Sequence, residues 1–423
     1  MRDGGRTPKG GGGRTGSRGG GPERGGSAGG GGARRRWLFG LLPLVLLAGT
    51  VALFTWNDPM AFLEGRFPPV EELTIERVTF PEARSMEIRV TNGGPEPVTV
   101  AQVMIDEAYW QHEMEGSRTI PRLGSRTIEV PYPWVQGEPH EVTLVSSTGL
   151  TFTHEVEVAT ETPAANLRFY GTFALLGLYA GVIPVLIGLL WYPFLRDLSR
   201  KWLHFFLSFT VGLLVFLGVD GLDEALETAA RVPEAYQGVG LVVLGVLAAV
   251  LALRALASAD PGGGREGDAG SRAGRLRLAY LIAVGIGLHN LGEGLAIGAA
   301  FTAGELALGS FLVVGFALHN TTEGLGIVAP VASDRPSLWH LAAMGALAGV
   351  PTILGTWIGG FSYSPVATTA FLALGVGAIF EVAYEIGSVV VRERARGLLS
   401  PLNAAGMGLG LVVMYGTALF VVA

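Results

Sequence analysis

Apolar residues in the second half of this chain gather in long unbroken runs. From Phe169 onward they fall at about 168–192, 203–220, 236–256, 277–300, 305–330, 337–360, 366–391 and 402–422. Each run is long enough to cross a bilayer as a helix. An earlier run from Trp37 to Trp56 follows Arg34-Arg35-Arg36, and with it the chain has about nine such spans. A basic segment before an apolar run also suits a signal peptide, but no small-x-small cleavage site precedes Asp58, so an uncleaved anchor is preferred. Residues 65–163 follow a different rule. Met86, Ile88 and Val90 alternate with polar neighbours, as do Val98 and Val100 and then Val142 and Leu144. Turn signals at Asn92-Gly93-Gly94 and Thr148-Gly149 separate these short runs, which predicts a β-sandwich of about 100 residues. Thr160–Ala164 reads as a linker. Residues 1–33 are mostly Gly, Arg and Ser, cannot build a core, and are expected to be disordered.

Composition agrees with the pattern. Of 423 residues, 49% are hydrophobic. The mean hydropathy of +0.43 is that of a multi-span membrane protein. There are no cysteines, so any metal site must use His, carboxylate, amide or water. The net charge of −6 matters less than its placement. Arg34–Arg36, Arg196, Arg200, Lys201, Arg254, Arg272, Arg275, Arg277, Arg335, Arg392, Arg394 and Arg396 fall on one side of the spans. Asp220, Asp223, Glu224, Glu227 and Glu234 fall on the other, with Arg231 the exception. The positive-inside rule then puts the N-terminus in the cytosol, and the β-domain and C-terminus outside the plasma (inner) membrane. The Gly-, Asp- and Arg-rich loop 257–276 is expected to be cytosolic and mobile, and its glycines do not form a phosphate cradle. Gly406, Gly408 and Gly410 lie inside a span, where small residues let helices approach.

Two of the greasy runs carry the same polar cluster. One has His289-Asn290-Leu291-Gly292-Glu293-Gly294, and the next has His319-Asn320-Thr321-Thr322-Glu323-Gly324. Ionisable groups at membrane depth pair, bind ions or face water, and so mark function. In each cluster the His and Glu are four apart and share one helix face. His289 stands about 12 residues, or ~18 Å, from the inner end of its span, and His319 about 11 residues, or ~16 Å, from that of the next. A short outer turn near Thr302–Glu305 makes the two helices antiparallel, so the clusters meet near the midplane. Imidazole with carboxylate suits zinc and other first-row divalent ions, and the Asn carbonyls add weaker ligands. Weak, exchangeable coordination suits transport. Gly294 and Gly324 are assigned to close helix packing.

These motifs resemble those of the ZIP (Zrt/Irt-like) family of divalent-metal transporters, over about residues 165–423. The resemblance implies a core of eight helices with both ends outside, built as two four-helix units that move against each other. It implies that His289, Asn290 and Glu293 ligate metal from the fourth core helix, and His319, Asn320 and Glu323 from the fifth. Many members have Pro within the motif, where this chain has Leu291-Gly292 and Thr321-Thr322. Gly349-Val350-Pro351 stands where many members carry Glu before Pro, which removes a ligand from a second metal site. The cytosolic loop lacks the family's histidine cluster, and the anchor and sandwich are additions. The fold expected is an all-α polytopic membrane protein. It divides into a disordered cytoplasmic tail (1–36), a transmembrane anchor (37–56), an extracytoplasmic β-sandwich (57–164) and an eight-helix transporter core (165–423).

Other residues carry secondary readings. Asp220, with Asp223 and Glu224, sits at the outer end of its span, where an acidic mouth concentrates cations. Glu381 suits an exit path or proton carrier, and Glu385 a pairing with arginines near Arg392. His112, His140 and His154 in the β-domain show no ligand spacing. His204 and His340 are expected at the membrane interface. The function expected is secondary transport of a divalent cation into the cytosol, Zn2+ first, with Fe2+, Mn2+, Co2+ and Cd2+ also suited. No enzyme activity and no cofactor is expected, and no ATP-binding motif points to a primary pump. The alternatives are a membrane-embedded zinc hydrolase, for which no HExxH motif is present, and a metal sensor. Expected partners are the lipid bilayer and divalent metal ions, with no nucleic acid. A homodimer and a partner for the β-domain are left open.

Overall fold

A computed structural model describes residues 30–57, 70–258, 271–302, 306–393 and 397–422. Helix α1 (Gly30–Asn57) belongs to a compact unit separate from the rest of the chain. It contains the whole Trp37–Trp56 run. It also begins inside the segment 1–36 that was expected to be disordered, because Ala33 and Arg34–Arg36 are good helix formers ahead of the apolar stretch. Residues 1–29 of that segment, and 58–69 of the expected β-domain, lie outside the described residues.

The alternating region folds into a small antiparallel β-domain. One sheet has the order β1-β2-β7-β5, formed by Leu73–Glu82, Ser85–Asn92, Ser125–Val130 and Glu113–Met114. The other has β4-β3-β8-β9, formed by Ala108–Trp110, Val98–Ile105, His140–Ser146 and Thr151–Val156. A two-residue strand, β6 (Thr119–Ile120), pairs with β3. Alternate residues point inward, so Met86, Ile88 and Val90 from the first sheet meet Val100, Val103, Val142 and Leu144 from the second in one core. The turn signal Asn92-Gly93-Gly94 leaves β2. Buried Asn92 donates to the carbonyls of Glu96 and Ile120 at 2.7 and 2.9 Å and accepts from the Gly94 N–H at 2.9 Å.

The helical region follows. Asn166 caps α2 (Leu167–Gly177), accepting from the Phe169 N–H at 3.1 Å. A wider π-helical turn, Leu178–Val182, joins it to α3 (Ile183–Leu189). Pro184 has no N–H for the Ala180 carbonyl four residues back, which accounts for the irregular turn. After the short α4 (Tyr192–Arg196) come α5 (Arg200–Ala229), α6 (Gly238–Ser258), α7 (Arg272–Thr302), α8 (Leu306–Val328), α9 (Leu338–Ser362), α10 (Pro365–Glu393) and α11 (Pro401–Val422). Among the described residues, eight helical stretches are long and apolar enough to cross a membrane, and Leu41–Asn57 is a shorter apolar helix. The segment 257–276 expected as a loop overlaps two helices, since α6 reaches Ser258 and α7 starts at Arg272. Residues 259–270 between them, and 303–305 in the expected outer turn, lie outside the described residues. The second core span, expected to end near 220, instead runs on to Ala229. Its 30 residues reach ~45 Å, so Asp220, Asp223, Glu224 and Glu227 are helical rather than in a loop.

The helices pack as two groups of four joined by a broad contact between α7 and α10. The first span (α2–α3), α7, α8 and α9 pack on one another, and α5, α6, α10 and α11 form the second group. Within each group glycines bring backbones together. A Cβ on Gly324 of α8 would collide with the Val185 carbonyl of α3, and one on Gly294 of α7 with the Thr352 carbonyl of α9. Both positions thus have the packing role expected of them. Where α7 meets α10 the contacts are mixed: Gly285 lies against the Val382 side chain and Gly292 against that of Leu372, while Gly375 of α10 lies against the backbone of Leu288 and His289 in α7.

We expect Gly324→Ala to lower thermal stability in detergent by ~1–3 kcal/mol, because backbone must move to admit one methyl. Gly171→Ala in α2, where nothing lies within 4 Å of the added carbon, should be neutral or stabilising by up to ~1 kcal/mol. Equal melting shifts for the two would contradict this packing.

Candidate metal centre

α7 and α8 bring their polar clusters together in the interior. His289, Glu293 and His319 offer ligand atoms that all lie within 4.8 Å of one another, and all three are buried. Glu293 is the hub. Its Oε1 contacts Nε2 of His319 and lies 3.2 Å from Nε2 of His289, while its Oε2 accepts from Asn320 Nδ2 at 2.8 Å. The i, i+4 spacing of His289 and Glu293 supplies one edge of the cluster, and the close approach of α8 supplies the other. A tetrahedral zinc ion with bonds of about 2.0–2.1 Å needs donors about 3.3 Å apart, so a small adjustment of three side chains would enclose such an ion.

The two asparagines have a part that their spacing did not reveal. Asn320 Nδ2 also donates to the Ala180 carbonyl at 2.9 Å, the group that Pro184 leaves without a helical donor. Asn290 Nδ2 donates to the Ala348 carbonyl at 3.1 Å, one turn before Pro351 in α9. Each amide is pinned by its nitrogen. Oδ1 of both is buried and has no hydrogen-bond partner, which leaves a neutral oxygen for a cation. Glu323 is also buried; the Asn290 amide lies beside its carboxylate, but neither oxygen is in full hydrogen-bonding geometry. It lies outside the convergent trio, although it is close enough to Glu293 to interact with it. A buried carboxylate without a full hydrogen bond is unstable unless a cation or a proton joins it, so the chemistry of the donor set fits a divalent ion.

Asp220 approaches this centre from α5. Gly221 faces His289, with the ring's Cε1 and Nδ1 at 3.8 Å from a Cβ placed there. Asp220 and Glu224 flank that glycine, and both interact electrostatically with His289 and Glu293. Asp220 and Asp223 line an open cleft with Phe216, Val219, Leu222 and Leu226. The sequence reading put Asp220 ahead of Glu224. Their own i, i+4 spacing was the signal that both belong on one face.

The other candidate residues have these surroundings. Glu381 is buried in a two-pronged pair with Arg254, whose Nε lies 2.9 Å from each carboxylate oxygen. Glu385 also lies in the electrostatic range of Arg254, and the pairing expected near Arg392 falls on side chains outside the described residues. His204 is buried within the protein. His340 bonds the Tyr280 hydroxyl at 2.8 Å. In the β-domain, buried His140 pairs with Asp106 through Nδ1 at 2.8 Å, and Tyr132 donates to the same carboxylate at 2.7 Å. Burial works to raise the Asp106 pKa, but hydrogen bonds from the Glu141 N–H, Tyr132 and His140 outweigh it and hold the pKa below the ordinary carboxylate value. Burial and that carboxylate push Tyr132 up to about 12. Among the described residues, the only grouping of three or more metal-ligating side chains within bonding reach is His289, Glu293 and His319.

No protein-family model matches the sequence, and no curated protein matches it either. The fold and the site therefore define the class on their own: a mostly helical chain with eight membrane-length apolar helices and a buried His/Glu/His group able to hold a metal.

Replacing Glu293 with Gln should weaken Zn2+ binding to the purified protein at least ~100-fold, and Asn320→Ala about tenfold, because Asn320 orients the carboxylate and offers only a weak neutral oxygen. Calorimetric titration measures both. Retention of full affinity by Glu293→Gln would remove Glu293 from the centre.

Proposed function

We propose that this chain is a secondary transporter that carries a divalent metal cation, Zn2+ first, into the cytosol by alternating access. The observation that carries the reading is the placement of three ligand atoms, all buried, in the middle of two long apolar helices. A structural zinc site closes its coordination with four strong ligands. Here two imidazoles and one carboxylate are supplemented by neutral amide oxygens, a set that suits an ion that must also leave. The acidic face of α5 leads toward His289 and would concentrate cations before they bind.

The grouping of the helices supports membership of the ZIP family. The spans resembling its first, fourth, fifth and sixth helices pack as one group, and the other four as the second. Backbone-to-backbone glycine contacts stiffen each group. On this reading Glu293 and Glu323 release protons or partners as the ion binds, and the electrical potential, negative inside, assists inward movement. The protein sits in the plasma membrane with its β-domain outside, and Glu381 keeps its Arg254 pair on the cytosolic side.

Purified protein in liposomes should take up Zn2+, read by an internal fluorescent chelator, and a panel of Fe2+, Mn2+, Co2+ and Cd2+ ranks the ions. Glu293→Ala combined with Glu323→Ala should abolish uptake. Stoichiometric Zn2+ binding without flux, accompanied by lipid or peptide cleavage, would establish the hydrolase instead. Asp220→Asn with Glu224→Gln should raise the KM for uptake several-fold with little change in maximal rate, and the difference should shrink at high ionic strength. A KM unaffected by removing both carboxylates would take α5 out of the ion's path.

A further inference from the structure

The β-domain touches both helix groups, by different means. Its connection to α2 is short. The Ala159 N–H donates to the Glu138 carbonyl at 2.9 Å, and Thr162 exchanges two hydrogen bonds with the backbone of Phe80 in β1, at 2.7 and 2.9 Å. The expected linker 160–164 is thus knitted to the domain as far as Thr162. Only Pro163, Ala164 and Ala165 stand between it and Asn166, the cap of α2. Four residue steps reach at most about 14 Å. The domain is therefore tied closely to the group that contains α2, α7 and α8.

Its second attachment is to the other group. The turn between α5 and α6 carries Arg231, Pro233 and Glu234. The Glu234 N–H donates to Glu72 Oε1 of the β-domain at 2.8 Å. A Cβ on Gly93 would stand 3.0 Å from the Pro233 Cβ, and Arg231 lies within electrostatic range of His154 on β9. The docking loop is itself stiff. Asn92 holds Gly94 in place, and Glu71, next to Glu72, accepts from Thr148 at 2.8 Å.

We propose that the β-domain is a strap across the two four-helix groups, tethered to α2 of one and docked through Glu72 on the α5–α6 turn of the other, so that the dock must open each time the groups shift past one another. The effect on flux rests on the transport reading above. The opening of the dock does not.

The chain has no cysteine, so Gly93→Cys with Pro233→Cys introduces a single thiol pair, close to the Cβ separation of about 3.5–4.5 Å that a disulfide requires. The added side chain displaces the docking carboxylate of Glu72, so in the bridged protein the disulfide takes the place of that dock. In full-length protein in liposomes, oxidation should lower Zn2+ uptake at least tenfold, and reduction should restore it, with equilibrium Zn2+ affinity unchanged within twofold. Fast uptake by fully bridged protein overturns the strap. Hydrogen exchange over 231–237 gives a reading independent of transport. Bridging should slow exchange of these amides at least tenfold, and Glu72→Ala in the otherwise native chain should speed it at least fivefold. Equal exchange with the bridge open and closed, or no change in Glu72→Ala, also overturns the strap. Should the native chain carry no Zn2+, the transport reading falls and the exchange result alone decides the strap.

Discussion

A carboxylate held between two imidazoles, deep among apolar helices, sets the terms for the rest of this structure. Glu293 meets His289 and His319 at its Oε1 and Asn320 at its Oε2, and almost nothing of it reaches the surface. An ionised carboxylate alone in such surroundings would cost many kcal/mol. The surrounding helices must therefore deliver partners to one point, and their irregularities serve that end. Pro184 releases the Ala180 carbonyl, Asn320 takes it up, and the same amide then reaches Glu293. A regular first helix would have engaged that carbonyl itself and left Asn320 free to swing.

The glycines give the second half of the mechanism its footing. Where backbones touch directly, as between α3 and α8 or α7 and α9, neither helix can slide without large rearrangement. Where glycine faces a branched side chain, as Gly292 faces Leu372, rotamer changes can absorb a shift. The centre lies on α7 and α8, within one group, while Asp220 and Glu224 reach it from α5 in the other. Acidic side chains thus approach the centre from across the boundary between the groups.

Much of this was legible from residue order. Eight long apolar runs each became a helix of membrane length, because a stretch of that hydropathy satisfies its backbone polar groups internally and has no competing pattern. The alternation at Met86, Ile88 and Val90 foretold a strand with one buried face, and the two HNxxEG copies put imidazole and carboxylate on one helix face by periodicity alone. Local rules were weaker at boundaries. They stopped α5 near Asp220, because charge was taken to end a span, whereas its turns continue to Ala229.

What residue order determined was the set of helices and strands and the identity of the cluster-bearing faces, since those depend on contacts within a few residues. What only the tertiary structure decided was which partners those faces meet. Glu293 joined His289 and His319 in one cluster while Glu323 stood beside it rather than in it, and Glu381 found Arg254. The Asn amides turned their nitrogens to carbonyls more than fifty residues away and left their oxygens unpartnered. These outcomes depend on the rotation and depth of one helix against another, set by where glycines let backbones close to contact, and no short-range pattern encodes that geometry.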